Sequence, residues 1–437
     1  MNRAPVTVVH DGPSPEAVMA HLGPRPGSVW LDGGSSNDGW SIVAFDPAEI
    51  VSGQPNWVQE ARTRLRPPRG PSDVPFVGGL IGYVGYGAGH HVAPVPEGPA
   101  SVEPETWLGR YEGALCFRHH DRSWHLTGPP SRITEAHDLL AATVAELPPP
   151  PSALPPTAAP SSVPSADYQA AVERILEWIR AGDCYQVNLS RPVHVGVDHE
   201  GDVGWSAYRR LRSFDAPYGA FLRLAPDLDI VCNSPELLLA KDGRHVVSEP
   251  IKGTRPRGVD AAADAAEREA LLQSPKDTAE LTMIVDLVRN DLGRVAEIGS
   301  VRTGGRRLMS LATVFHTYHR IEATLRRSVD TLEALAALFP PGSVTGAPKV
   351  RACTRIAELE QEARGVYCGT IGYASDHGRA VFNVAIRTGV VHRGTARYHV
   401  GGGIVASSEP AAEWTETEVK GAAWARALGG SAPHSSS

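Results

Sequence analysis

Lys252 stands in the run Glu249-Pro250-Ile251-Lys252-Gly253-Thr254-Arg255-Pro256-Arg257-Gly258, which reads as a proline- and glycine-constrained turn with an amine at its mouth. A neutral amine in such a place attacks an electrophilic carbon, and a neighbouring acid protonates whatever departs. Glu236, in Ser234-Pro235-Glu236, is the matching acid. An Asp242-Gly243 turn between two apolar runs predicts a hairpin that brings Lys252 back towards it. Taken alone, the same residues also fit a surface lysine beside a surface arginine pair, so support must come from the rest of the chain.

Two further segments supply carboxylates. In the stretch from Pro275 to Val288, read as a helix, Leu281, Ile284, Val285 and Val288 form the buried stripe, and Asp277 and Glu280 fall on nearly the same face. Burying an unpaired carboxylate costs several kcal/mol, so inward acids meet a cation or a donor; at an exposed first turn they would only favour the helix dipole. A second helix opening at Pro410 sets Glu413, Glu416 and Lys420 at i, i+3 and i+7 on one face, where a plain Glu–Lys surface pair is the alternative. Acids on two helices invite a hard divalent cation. Few acidic ligands, with room left for water or substrate oxygens, select Mg²⁺ over a dedicated Ca²⁺ cage.

Three consecutive glycines, Gly401-Gly402-Gly403, precede that helix and mark a close backbone approach whose amides suit a carboxylate or phosphate. Alternation in Phe382-Asn383-Val384-Ala385-Ile386-Arg387 predicts a strand with Arg387 opposite the apolar face; facing a pocket, its guanidinium clamps a carboxylate, and facing water it does not. The segment from Gly342 to Lys349 echoes a phosphate-binding loop. It lacks the Gly-Lys-Ser/Thr ending and carries Pro348 at the turn, which speaks against a nucleotide hydrolase.

The elements that must position these groups belong to a chain of 437 residues, long enough for two or three domains, with 42% apolar residues and a formal charge of -7. Mixed charge without a basic stripe argues against nucleic-acid binding. The five cysteines, Cys116, Cys184, Cys232, Cys353 and Cys368, are scattered and suggest reduced thiols, with neither a disulfide framework nor a zinc site. No signal-peptide core and no run of membrane-spanning length is found, so a cytoplasmic location is expected. Residues 1–145 read as a β-rich region, 146–165 as a proline-rich connector, 166–428 as the catalytic domain and 429–437 as a disordered tail. A helix is predicted from Ser165 or Asp167 to Gly182, with others near 265–292, 331–338, 346–361 and 411–428. Strands are expected around 185–189, 230–233, 237–240, 244–247, 366–374, 380–391 and 398–405. Strands outnumber helices and several meet in tight turns, which predicts antiparallel pairing in an α+β architecture.

Together these segments resemble the chorismate-utilising enzymes, and within them the aminodeoxychorismate synthase component I group. The likeness rests on Asp183-Cys184-Tyr185-Gln186-Val187-Asn188-Leu189-Ser190, Ser234-Pro235-Glu236, Pro250-Ile251-Lys252-Gly253-Thr254-Arg255, the run from Val285 to Leu292, the run from Gly342 to Lys349, and Gly401-Gly402-Gly403-Ile404-Val405. It spans roughly residues 165 to 425 and touches the front third only through Trp30-Leu31-Asp32 and the run from Ile42 to Pro47; a tryptophan pocket is not matched there. The resemblance implies a large antiparallel-sheet sandwich with helices. It also implies that Glu280 and Glu416 hold Mg²⁺ against the ring carboxylate of chorismate, with Glu413 and Asp277 close by or acting through water. Tyr367, Arg387, Lys420 and the Gly402 and Gly403 amides would bind the two carboxylates, while Thr254, His316 and Thr345 line the pocket. Members that add water carry a lysine base where this chain has Gln186, and anthranilate synthases usually have alanine where it has Lys252. The implied reaction is amination of chorismate to 4-amino-4-deoxychorismate for 4-aminobenzoate, with Lys252 bonding to C2 and Glu236 as acid; anthranilate synthase component I is the nearest alternative, an isochorismate or salicylate synthase the next. For this Lys252 must be neutral, which Arg255 and burial are expected to favour. No Gly-x-Cys-x-Gly loop is present, so ammonia is expected from a separate glutamine amidotransferase subunit.

Overall fold

A computed structural model describes residues 6–34, 39–66, 72–149, 160–197, 201–312 and 314–429. Its strands pair antiparallel throughout, and among the described residues they assemble one sheet of twelve strands and one of ten. The expected α+β sandwich is borne out. Apolar side chains of the larger sheet, among them Val29, Ile42 and Ile230, meet Ile81, Tyr83 and Tyr373 of the smaller one in a shared core. Helices cover the outer faces.

The front third contributes to both sheets. Strand Val29–Asp32 hydrogen-bonds to Tyr218–Ala225 in the larger sheet, and Gly79–Val84 to Thr370–Ser375 in the smaller. Of the connector read at 146–165, residues 150–159 lie outside the described residues, as does the tail beyond Gly429.

Several elements differ instructively from their sequence-based expectation. The single helix near 265–292 is two, Ala261–Gln273 and Pro275–Gly293. Pro275 lacks an N–H and pushes Ser274 out of helical geometry, and the Ser274 side chain then caps the second helix by accepting from the Asp277 amide at 3.2 Å. This restart buries Leu281, Ile284, Val285 and Val288 against the smaller sheet, with Asp277 also inward. Helix Lys349–Leu359 begins only after Pro348, for the same reason that proline suits a helix start and not its interior. Helices Ser165–Arg180, Thr331–Leu338 and Pro410–Ala427 lie where the periodicity predicts them.

Lys252 is carried by a strand rather than a turn. Strand Ile251–Pro256 pairs with Val314–Thr324, a strand whose polar, histidine-rich sequence gave no clear alternation. The register slips by one between Lys252 and Thr254, and Gly253, at φ 77°, is the extra residue of the bulge. Bulges re-aim the side chains beside them, which is how a strand presents Lys252 to a site. The expected strand over 380–391 breaks into Ala380–Asn383 and Thr388–His392. Arg387 lies in the break at φ 51°, a left-handed conformation that no strand alternation describes.

Candidate active site

The hairpin around Asp242-Gly243 pairs Leu237 with Glu249, so the chain returns beside its own start. There the Ile251 amide donates to Glu236 Oε1 at 3.4 Å, and Glu236's own amide donates to Ser234 Oγ at 3.2 Å. Glu236 is buried. Loss of water pushes its carboxyl up to about 7, against the opposing pull of a Ser343 hydrogen bond, the Lys252 charge and the Ile251 amide. Lys252 moves the other way. Burial of its amine, with the Lys420 charge added, lowers its pKa against the pull of Glu280, Glu236 and Glu416. The cation that assists is therefore Lys420 and not Arg255, which is spent on Asp277 at 3.0 Å. An acid raised and an amine lowered in one pocket is the pairing that proton transfer with nucleophilic attack requires.

The glycine run forms the floor. Strand Thr395–Ile404 pairs with Gln186–Gly196, setting Gly403 opposite Asn188 and Gly402 opposite Leu189. A Cβ on Gly403 would collide with Nε2 of Gln186 and stand 3.2 Å from Lys252 Nζ; one on Gly402 would stand 3.0 Å from Glu413 Oε2 and 3.6 Å from Glu416 Oε1. Only glycine leaves both faces of this strand open. Gln186 is buried with neither end of its amide hydrogen-bonded, although buried amides are normally paired.

The acids are arranged around the lysines. Glu416 pairs with Lys420 at 2.6 Å, and Lys420 also donates to the Gly401 carbonyl at 2.8 Å. Burial raises Glu416, but Lys420, Lys252 and Lys276 outweigh it and hold the carboxyl below its ordinary value. Burial raises Glu280, with Lys252 and Lys276 opposing and Asp277 and Glu416 adding to the rise. Burial also raises Glu413, whose Oε1 accepts from Ser408 Oγ at 2.6 Å; its Oε2 is buried without a partner. These four acids do not form a preformed cage, because among the described residues the only three-residue group with ligand atoms all within 4.8 Å is His90, His91 and Glu105. Glu280, Glu416 and the orphaned Glu413 oxygen nevertheless fit a Mg²⁺ that takes its other ligands from water and substrate.

On the opposite wall His316 bridges Arg387 and Thr254. Arginine only donates, so His316 Nε2 accepts from Arg387 Nη2 at 3.1 Å and the proton sits on Nδ1, which faces Thr254 Oγ1 at 3.0 Å. Burial, with the Arg387 charge, lowers His316 to about 3, so the ring is neutral. Burial lowers Arg387 itself to about 10, and among the described residues no carboxylate pairs with it. A desolvated guanidinium without a counter-ion calls for an anionic ligand.

Three expected residues stand apart from this open centre. Thr345 is fully buried and donates its hydroxyl to the Pro341 carbonyl at 3.0 Å. Tyr367 is buried and stacked on His399 at 5.3 Å between ring centres. Thr254 is exposed and meets the site through His316. Sequence reasoning missed Ser343, Lys276 and Ser408; each lies beside a recognised residue but carries no pattern of its own.

The site, built on two antiparallel sheets, gathers a buried acid, a buried amine, a guanidinium without a counter-ion among the described residues and a set of carboxylates. The chain belongs to the chorismate-binding enzyme family, whose profile, described as "chorismate binding enzyme", matches residues 34–426. It is 38% identical over 359 residues to aminodeoxychorismate synthase component 1 of Salmonella typhimurium, covering 80% of this chain and 76% of that protein. It is 35% identical over 418 residues to anthranilate synthase component 1 of Pseudomonas aeruginosa, covering 90% and 82%. Among solved structures, anthranilate synthase component I from Streptococcus pneumoniae superposes with a TM-score of 0.78 at 28% identity, over 88% of this chain and 92% of that one. The likeness read from the motifs is thus confirmed at family level. No helix among the described residues is long and apolar enough to cross a membrane.

Proposed function

We propose that this protein aminates chorismate at C4, giving 4-amino-4-deoxychorismate for 4-aminobenzoate synthesis, with ammonia delivered by a separate glutamine amidotransferase subunit. The observation that carries the reading is Lys252, an amine with a lowered pKa set beside an acid raised to about 7. Neutral Lys252 Nζ forms a bond to C2 as both ring double bonds shift and the C4–oxygen bond breaks, while Glu236 gives its proton to the departing hydroxyl, which leaves as water. The lysine adduct loses its extra proton. Ammonia then bonds to C4, both double bonds return, and the C2–nitrogen bond breaks as the leaving amine takes back from solvent the proton that the adduct lost; the Glu236 carboxylate accepts a proton from the new ammonium.

Arg387 holds one carboxylate of the dianion, with neutral His316 orienting the guanidinium from behind. The Gly402 and Gly403 amides and Lys420 suit the other. Glu280 and Glu416, with Glu413 alongside, would hold Mg²⁺, which when bound supplies Lewis-acid polarisation of the ring carboxylate. Gln186, an amide where hydration would need a base, supports amination over water addition.

The similarity to anthranilate synthases keeps amination at C2 as the second reading. Product analysis by chromatography and mass spectrometry decides between them. The full chain with chorismate, Mg²⁺ and ammonium salt should accumulate 4-amino-4-deoxychorismate; anthranilate as the main product overturns the proposal. Glutamine should give no product without a second subunit.

A further inference from the structure

We propose that His90, His91 and Glu105 form a second cation site, separate from the acids of the active site, that takes Zn²⁺ and ties the segment after a short helical turn to the smaller sheet. The turn Tyr86–His91 leaves strand Gly79–Val84 and ends on two adjacent histidines, and Glu105 comes back beside it at the entry to strand Thr106–Tyr111. One ligand atom from each residue lies within 4.8 Å of the other two, and all three side chains are half-buried. Small rotations bring three such atoms to about 2.0–2.2 Å from a shared ion.

Three features favour a metal over a plain ion pair. The His90 Nδ1 atom lies 2.7 Å from the Gly87 carbonyl, which fixes the proton there and leaves Nε2 with a free lone pair, the arrangement that orients a ligating imidazole. The two rings stand only 3.6 Å apart between centroids, so one cation can be reached by both. Glu105 supplies the negative charge, its Oε2 lying 3.1 Å from His91 Nε2. Its other oxygen packs against Gly87, where a Cβ would sit 2.7 Å away. Two imidazoles and one carboxylate are a zinc-type donor set, unlike the all-oxygen set of the active site, so the two sites select different ions.

The position gives the ion a structural role. Tyr86, in the same turn, lies under the Arg364 guanidinium at 4.7 Å, and its amide donates to the Gly365 carbonyl at 2.8 Å. Arg364 in turn holds the carbonyls of Val344 and Asn188, next to Ser343 and Thr345. A clamp on this turn therefore steadies the packing behind the segment from Ser343 to Thr345.

The test is a competition titration of chelator-treated full-length protein with zinc chloride against a chromophoric chelator, in excess Mg²⁺. Wild type should take up one equivalent, and its Tm should rise with zinc because the folded chain alone presents the site. His91→Ala and the His90→Ala/His91→Ala pair should weaken that uptake by about 10–100-fold or more, as expected for loss of a ligand, with unchanged Tm in the absence of zinc. On wild type, zinc should also protect His90 and His91 from diethylpyrocarbonate, read by peptide mass spectrometry, which keeps the test independent of how the variants fold. No uptake by wild type, equal uptake by the double variant, or unchanged modification of both histidines with zinc present would overturn the proposal.

Discussion

Arg364 and Arg387 are both buried guanidinium groups, and they differ in what surrounds them. Arg364 reaches Glu360 with two nitrogens at 2.8 and 2.7 Å and donates to the Val344 and Asn188 carbonyls at 2.9 and 2.6 Å. Burial acts against its charge, but Glu360 outweighs burial and holds the group charged. Arg387 has His316 and, among the described residues, no carboxylate. All three guanidinium nitrogens of Arg364 find acceptors inside the fold. Around Arg387, Gln186 and Glu413, buried polar atoms stay unpaired. Unpaired buried groups cost stability, so a cluster of them marks where the protein reserves its interactions for a ligand.

The contrast breaks most readily at Lys252. Lys252→Ala should lose about two to four orders of magnitude in formation of the 4-amino product, because a positioned nucleophile is gone, and should leave Tm unchanged or higher. Intact-mass spectra with chorismate but no ammonia should show the lysine adduct in wild type and none in the variant. If the variant aminates C4 at the wild-type rate, covalent attack is wrong; if it unfolds, Lys252 belongs to the closed region and not the open one.

Next in size is the pair of arginines themselves. Arg387→Ala should lower kcat/KM for chorismate by about 10–100-fold through loss of a charge-assisted contact, with little change in Tm. Arg364→Ala should do the reverse, removing about 3–5 kcal/mol of stability by stranding Glu360, as seen by a large fall in Tm. Equal loss of stability in both variants would erase the distinction.

A smaller effect is expected at the metal acids. Glu413→Gln should raise the Mg²⁺ concentration for half-maximal activity by about tenfold, in the range typical of weakened supporting ligands. Exhaustive chelation should abolish turnover; full activity after chelation removes Mg²⁺ from the site.

The finest test is pH. Glu236 must be protonated to act as the acid, and its carboxyl stands at about 7. The rate of adduct formation, measured without ammonia, should therefore bend near pH 7 as Glu236 titrates and bend again as Lys252 titrates, at a pH below that of an ordinary lysine because its pKa is lowered. A profile with no bend near pH 7 assigns the acid to another group.

Much of this site was legible in the sequence because its parts are local. Ser234-Pro235-Glu236 and the Asp242-Gly243 turn belong to one hairpin, whose return brings the strand holding Lys252, which directly follows it, back beside the acid. The helix phase that puts Glu413, Glu416 and Lys420 on one face follows from 3.6 residues per turn, and the Glu416–Lys420 contact at 2.6 Å follows from it. The antiparallel α+β class followed from short strands joined by tight turns.

Only the tertiary structure decided the rest, because it depends on groups far apart in the chain meeting in three dimensions. Period-two alternation predicted Arg387 on a strand, but the backbone turns left-handed there and delivers the guanidinium to His316, 71 positions away. Asp277 was legible as an inward acid, yet its partner proved to be Arg255 across the bulge at Gly253, which local pattern does not encode. Alternation and helical period say which face a side chain takes. They do not say what waits on that face, and it is the partner, or its absence, that sets each buried charge to hold the fold or to meet a substrate.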